Sequence, residues 1–194
     1  MRELIKVGPI ALAIALAVGE GLSAQEAPAP PSPAPSPRPH DPAHADKAAT
    51  WCAFHVVRRE LAHALSDCNY AIAADPRDAL AYLNRGTLYL SYGDAAQALT
   101  DFQEAVELAP NNAVMFYNRG LAHAALGKSK SAIDDYTAAI ELKPDLAIAY
   151  HNRGVEHEAA ADRAKALADY ERALAIDPNL ELSARSIKRL RGDL

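Results

Sequence analysis

Cysteine is scarce in this chain: only Cys52 and Cys68 occur among 194 residues. That excludes the clustered cysteine spacing of a structural zinc site. An excess of basic charge is also missing, since 20 Lys and Arg stand against 25 Asp and Glu, for a formal charge of −5. A mildly acidic surface of this kind disfavours nucleic acid as the main partner. Long apolar runs are lacking too; the stretch from Val7 to Val18 falls short of the roughly 20 residues a spanning helix needs. No HExxH, P-loop or nucleophile-elbow pattern is present, so no side chains stand out to carry catalysis, hold a metal or bind a cofactor. The expectation is a chain that is not an enzyme.

What is present is a repeat. Pro76, Pro110, Pro144 and Pro178 are spaced 34 residues apart. In register with them run Asn84-Arg85-Gly86, Asn118-Arg119-Gly120 and Asn152-Arg153-Gly154, then Ala98, Ala132 and Ala166. Further columns are Asp101, Asp135 and Asp169; Phe102, Tyr136 and Tyr170; and Ala105, Ala139 and Ala173. This period and these columns resemble the tetratricopeptide repeat. The resemblance implies an all-α fold, a right-handed α-solenoid of helix-turn-helix repeats with a C-terminal capping helix.

Numbering each unit from 1 at Ala79, Ala113 or Ala147, positions 4 and 8 lie one helical turn apart on one face of a first helix. Gly at 8 and Ala at 20 remove bulk where two antiparallel helices approach. The aromatic at 24 and Ala at 27 give the second helix a knob beside a gap. Gly93 and Gly127 suit the left-handed end of a first helix, and Ala161 stands there in the unit that starts at Ala147. Each Pro ends a second helix by pushing the preceding residue out of helical geometry. Helices are therefore predicted near 79–92, 95–108, 113–126, 129–142, 147–160 and 163–176.

The same frame over 45–78 gives a degenerate unit in which Ala64, Asp67, Ala71 and Pro76 match, but Cys52 replaces Gly. With units at 79–112, 113–146 and 147–180, the remainder at 181–194 has room for one helix. Its apolar side is read as Leu182, Ile187 and Leu190, with Arg185, Lys188, Arg189 and Arg191 facing elsewhere. A solenoid end needs one wet face, so a cap is expected, with a basic membrane- or nucleic-acid-binding helix as the alternative. At the other end, Arg2 and Lys6, the apolar stretch and Leu22-Ser23-Ala24 fit a signal peptide over 1–24, cleaved after Ala24. The alternative is an uncleaved anchor. From Ala27 to Pro42 the chain is dense in Pro, so 25–44 reads as an extended spacer. The expected location is periplasmic or secreted.

Cys52 and Cys68 occupy positions 8 and 24 of facing helices. In an oxidising compartment they form a disulfide across that hairpin; otherwise they are two buried thiols. Position 7, usually Leu in the family, is Arg85, Arg119 and Arg153, while position 23 is Asp in every unit. Pairing each Asp with the Arg of the following unit gives Asp67–Arg85, Asp101–Arg119 and Asp135–Arg153, leaving Asp169 to Arg185 or Lys188; the alternative is solvated surface charge. Arg suits such a stitch because its fork binds a carboxylate bidentately. His55, His123 and His157 share position 11, are read as core packing and, at least one repeat apart, do not easily converge on a metal; His40 and His44 fall in the spacer and make at best a weak metal site.

In proteins the chain resembles, positions 2, 5, 6, 9, 12 and 13 of the first helices face a concave groove. The resemblance therefore implies a wall containing Leu83, Asn84 and Thr87, then Tyr117, Asn118 and Leu121, then His151, Asn152 and Val155. Apolar pockets crossed by Asn suit a peptide, because Asn can satisfy backbone amides; the alternative is that some of these residues simply pack within the helix layer. The clamp that grips chaperone C-termini is not supported, since positions 2 and 5 have no Lys. The implied function is an exported scaffold for a protein or peptide partner. Alternatives are an accessory subunit or chaperone of an envelope-assembly or secretion machine, and a regulatory repeat domain of an enzyme system.

Overall fold

The structure is a computed structural model that describes residues 50–54 and 61–192. The expected signal peptide, the spacer and His55 lie outside the described residues. After a helical segment at 50–54 come α1 (Leu61–Ala74), α2 (Ala79–Ser91), α3 (Ala95–Leu108) and α4 (Ala113–Ala125). Next are α5 (Ser129–Leu142), α6 (Ala147–Ala159), α7 (Arg163–Ile176) and α8 (Glu181–Arg191). The pairs α2–α3, α4–α5 and α6–α7 are antiparallel hairpins, each stacked on the next, and α8 packs on α7. The result is a right-handed α-solenoid. Among the described residues no helix is long and apolar enough to cross a membrane.

The first helix of each hairpin stops one residue before the expected end, and its closing bonds give the reason. Gly93 N–H donates to Leu90 O at 3.1 Å and Asp94 N–H to Tyr89 O at 3.0 Å, the paired bonds of a Schellman end. The same pairs recur at Gly127 and Lys128 and at Ala161 and Asp162. This closure requires a left-handed residue, and the φ values are 83° at Gly93, 70° at Gly127 and 60° at Ala161. A Cβ in that region costs roughly 1–2 kcal/mol. Ala161→Gly is therefore expected to stabilise the chain by about 1 kcal/mol, read as a raised urea midpoint; an unchanged or lowered midpoint would refute the strain.

The Gly column meets the aromatic column. A Cβ added to Gly86 would lie 2.6 Å from the Phe102 ring, at Gly120 2.7 Å from Tyr136, and at Gly154 2.8 Å from Tyr170. Phe102, Tyr136 and Tyr170 are fully buried, as are Ala98, Ala132 and Ala166. The missing side chain on one helix thus seats the ring of the other, and each hairpin closes on its own core.

The ion pairs correct the expected stitch. Arg85 donates through Nε and Nη2 to Asp101 at 2.8 and 2.7 Å, and Arg153 does the same to Asp169 at 2.9 and 2.7 Å. Arg119 forks onto Asp135 with its shortest bond at 2.6 Å. The pairs Asp67–Arg85, Asp101–Arg119 and Asp135–Arg153 are thus replaced by pairs inside each hairpin, and Asp169 binds Arg153 rather than the last helix. Position 7 of a first helix directly faces position 23 of its own partner helix, as the ring seat at positions 8 and 24 requires. Stitching between repeats does occur, through the third nitrogen: Arg85 Nη1 reaches Asn69 at 2.7 Å and Arg153 Nη1 reaches Thr137 at 3.1 Å. Both acceptors sit at position 25 of the preceding unit. Each guanidinium also lies over a ring of its own helix, Tyr82, Phe116 or Tyr150, at 5.3–5.8 Å. The hydrogen bonds with Asp hold Arg85 and Arg153 still more firmly protonated.

Helix α8 continues the register as a lone first helix. Ser183, Ser186 and Ile187 are buried, whereas Leu182 is 42% exposed, so the apolar side expected of Leu182, Ile187 and Leu190 is rotated toward the serines. Ser183 falls at position 3, the column of Ala81, Met115 and Ala149, all buried. Lys188 falls at position 8, where the other units carry Gly, and it is exposed. Among the described residues no second helix pairs with α8, and no ring is seated on Lys188.

Candidate functional site

The expected groove residues divide into two sets. Column 5 is buried throughout, with Leu83 and Tyr117 each 2% exposed and His151 7%. These side chains point into the next repeat: Leu83 shares a core cluster with Met115, and Tyr117 shares one with Ala149. His151 Nδ1 lies 2.9 Å from Ser183 Oγ of α8. Partner sizes are complementary, since larger residues at position 5 meet smaller ones at position 3 of the following unit. Burial also removes Thr87, whose hydroxyl donates to Leu83 O, and Asn118, whose amide donates to Val114 O. Assigning Leu83, Thr87, Tyr117, Asn118 and His151 to an open wall is therefore corrected; they build the spine.

Asn84, Leu121, Asn152 and Val155 remain half-buried at the surface. Of the expected Asn ladder, Asn152 donates to Tyr117 Oη across the repeat boundary at 3.0 Å, Asn118 is internal, and Asn84 alone has no side-chain hydrogen bond among the described residues. Leu80, 54% exposed, lies one turn before Asn84 on the same face. Ile148 is half-buried, and Ser91, Ala125 and Ala159 are exposed at the far end of the same helices. The members of positions 2, 6, 9 and 13 that stay at the surface therefore form a stripe along α2, α4 and α6 with no charged residue in it, in a chain that is 23% charged; Val114, like Thr87 and Asn118, is buried.

The stripe ends in a polar junction with α8. Arg189 Nη2 donates to both Glu158 oxygens at 2.8 Å, and Tyr170 Oη donates to Glu158 Oε2 at 2.9 Å. The His151 ring lies beside Tyr170 with centroids 5.3 Å apart. Burial, helped by Arg189 and opposed by Glu158, pushes the His151 pKa down to about 4. His151 is then neutral in the fold, while the unfolded chain takes up a proton below about 6.5. Its contribution is intact above that pH and is lost as pH falls toward 4, amounting to about 2–3 kcal/mol. Unfolding titrations at pH 7 and pH 4.5 should show the α6–α8 end loosening in the wild type, with a smaller slope in His151→Gln; equal slopes would remove His151 as the cause.

His123 and His157 flank the ion pairs. His123 Nε2 is 3.7 Å from Asp135 and His157 Nε2 is 3.9 Å from Asp169. Burial lowers the His123 pKa against the pull of Asp135. Among the described residues no group of three or more His, Cys, Asp or Glu is placed to hold a metal. Sequence reasoning missed the α8 junction and the position 25 acceptors; the size complementarity between columns 5 and 3 was the available signal for the first.

The tetratricopeptide-repeat family models match residues 79–112, 113–146 and 147–180, together more than half of the chain. No curated protein matches in sequence. Among solved structures, a crystal structure of MamA is 23% identical over 73% of this chain and 83% of that one, with a TM-score of 0.68; at that identity it shows the fold alone. The first such domain of Spaghetti (RPAP3), bound to the HSP90 peptide SRMEEVD, is 27% identical over 61% of this chain and 94% of its own, with a TM-score of 0.59. The Arabidopsis OM64 domain is 26% identical over 60% and 96%, with a TM-score of 0.58.

Proposed function

Because this chain belongs to the tetratricopeptide-repeat family, we propose that it is an exported, non-enzymatic scaffold that holds a peptide or protein partner along its uncharged stripe. Repeat arrays of this class are interaction scaffolds, and a structural neighbour carries a peptide. The observation that carries the reading is the alignment of Leu80, Asn84, Leu121, Ile148, Asn152 and Val155 with no charge between them. Apolar side chains of an extended partner would lie against Leu and Val, and its backbone amides would meet Asn84. The neighbour's peptide is acidic, whereas this stripe offers no cation, so the partner segment is neutral and apolar. Export is supported by Arg2 and Lys6 before the apolar stretch and by the disulfide between Cys52 and Cys68.

The test is photocrosslinking in cells from Asn84 or Leu121, with exposed Glu104 on α3 as the control site. Capture from the stripe but not from Glu104, abolished by Leu121→Lys, is the expected result. Equal capture from both faces would overturn the reading. A single dominant component would favour an accessory subunit, for which the Pro-rich segment is the tether. N-terminal sequencing of the protein from cells should begin at Gln25; a chain beginning at Met1 would refute cleavage.

A further inference from the structure

One hairpin is closed differently from the rest. In the other three, Gly at position 8 seats a fully buried ring at position 24. In the first unit these positions are Cys52 and Cys68, joined as a disulfide with Cα atoms 4.7 Å apart. The covalent bond occupies the place where packing holds the other hairpins. A ring there buries on the order of 150–250 Å², and two half-cystines provide much less. The bond is enclosed in a small cluster with Ala64 and with Leu88 of α2, with Leu65 at its margin. Beside it, Ala71 packs on Ala81 of α2.

We infer that the first repeat is a redox-dependent end cap: the Cys52–Cys68 bond keeps it folded, and reduction unfolds this repeat alone, uncovering Ala81 and Leu88 on α2. The reductant is a dithiol. Its thiolate attacks one sulfur, the S–S bond breaks, and the displaced cysteine leaves as a thiolate that is then protonated. The reductant's second thiolate displaces the other cysteine, closing its own disulfide and supplying two electrons in all. Both cysteines are 0% exposed, so attack waits on local opening of the hairpin, and the cap resists reductant until it breathes. The later hairpins carry their own ring seats and no cysteine, and in an array coupled only between neighbours they stay folded.

Hydrogen exchange by mass spectrometry on the full chain, with and without dithiothreitol, tests this once alkylation confirms that both thiols are free. Amides of α1 should exchange at least about tenfold faster after reduction, with 113–176 changed less than about twofold. Cys52→Gly combined with Cys68→Tyr installs the ring seat of the other hairpins and should keep α1 protected in either condition. Unchanged α1 exchange in the fully reduced wild type would overturn the inference, as would loss of protection along the whole array. So would a Gly–Tyr variant whose α1 is as exposed as in the reduced protein.

Discussion

Tyr136→Ala is expected to destabilise the chain by about 3–5 kcal/mol, the range for emptying a fully buried aromatic site. Tyr136 is 1% exposed, seats on Gly120 and lies 5.9 Å from the Tyr117 ring, so its removal opens both the hairpin and the boundary to the next repeat. Burial also pushes its phenol pKa well up, so the ring is neutral at every ordinary pH. Tyr136→Phe should cost no more than about 1.5 kcal/mol, because Phe102 fills the equivalent seat in the second unit. Gly120→Ala should cost roughly 1–2 kcal/mol, the strain of overpacking against a ring that cannot move exceeding the helix propensity gained. Urea unfolding followed by circular dichroism reads all three. In a linear array the Ala variant should also split the transition in two. A single transition within about 1 kcal/mol of wild type would mean that the ring seat does not hold the hairpin.

Arg119→Leu should cost about 3 kcal/mol, at the lower end for breaking a buried pair because the guanidinium is partly exposed. Asp135 is 5% exposed and accepts from Arg119 Nε and Nη2. Leu is the residue usual at this position in the family, so the loss reads the stranded carboxylate rather than an ill-fitting side chain. Replacing both partners, as Arg119→Leu with Asp135→Ala, should cost less than the sum of the single changes, with a coupling of about 1–3 kcal/mol. His123 supplies a second readout. Its pKa is held down by burial and by Arg119 and Lys128, so in Arg119→Leu it should rise toward Asp135, as followed by NMR titration. Coupling near zero together with an unmoved His123 would show that the pair is solvated charge and no more.

The sequence by itself determined the period, the three later hairpins and, to within one residue, their limits. Gly and Pro act locally: a left-handed turn or a Pro-restricted neighbour ends a helix whatever surrounds it. The 34-residue spacing then places equivalent residues in equivalent environments, which is why Gly86, Gly120 and Gly154 meet the same kind of neighbour, although the structure and not the sequence showed that neighbour to be the ring at position 24. Which Asp each Arg binds was decided only in three dimensions. Asp101 is 16 residues beyond Arg85 and Asp67 lies only slightly farther before it, so separation along the chain hardly distinguishes them, whereas the facing of positions 7 and 23 within one hairpin does. The open wall was decided in the same way. Leu83, Tyr117 and His151 share a face with surface residues on an isolated helix, and only the stacking of the next hairpin, or of α8 for His151, buries them.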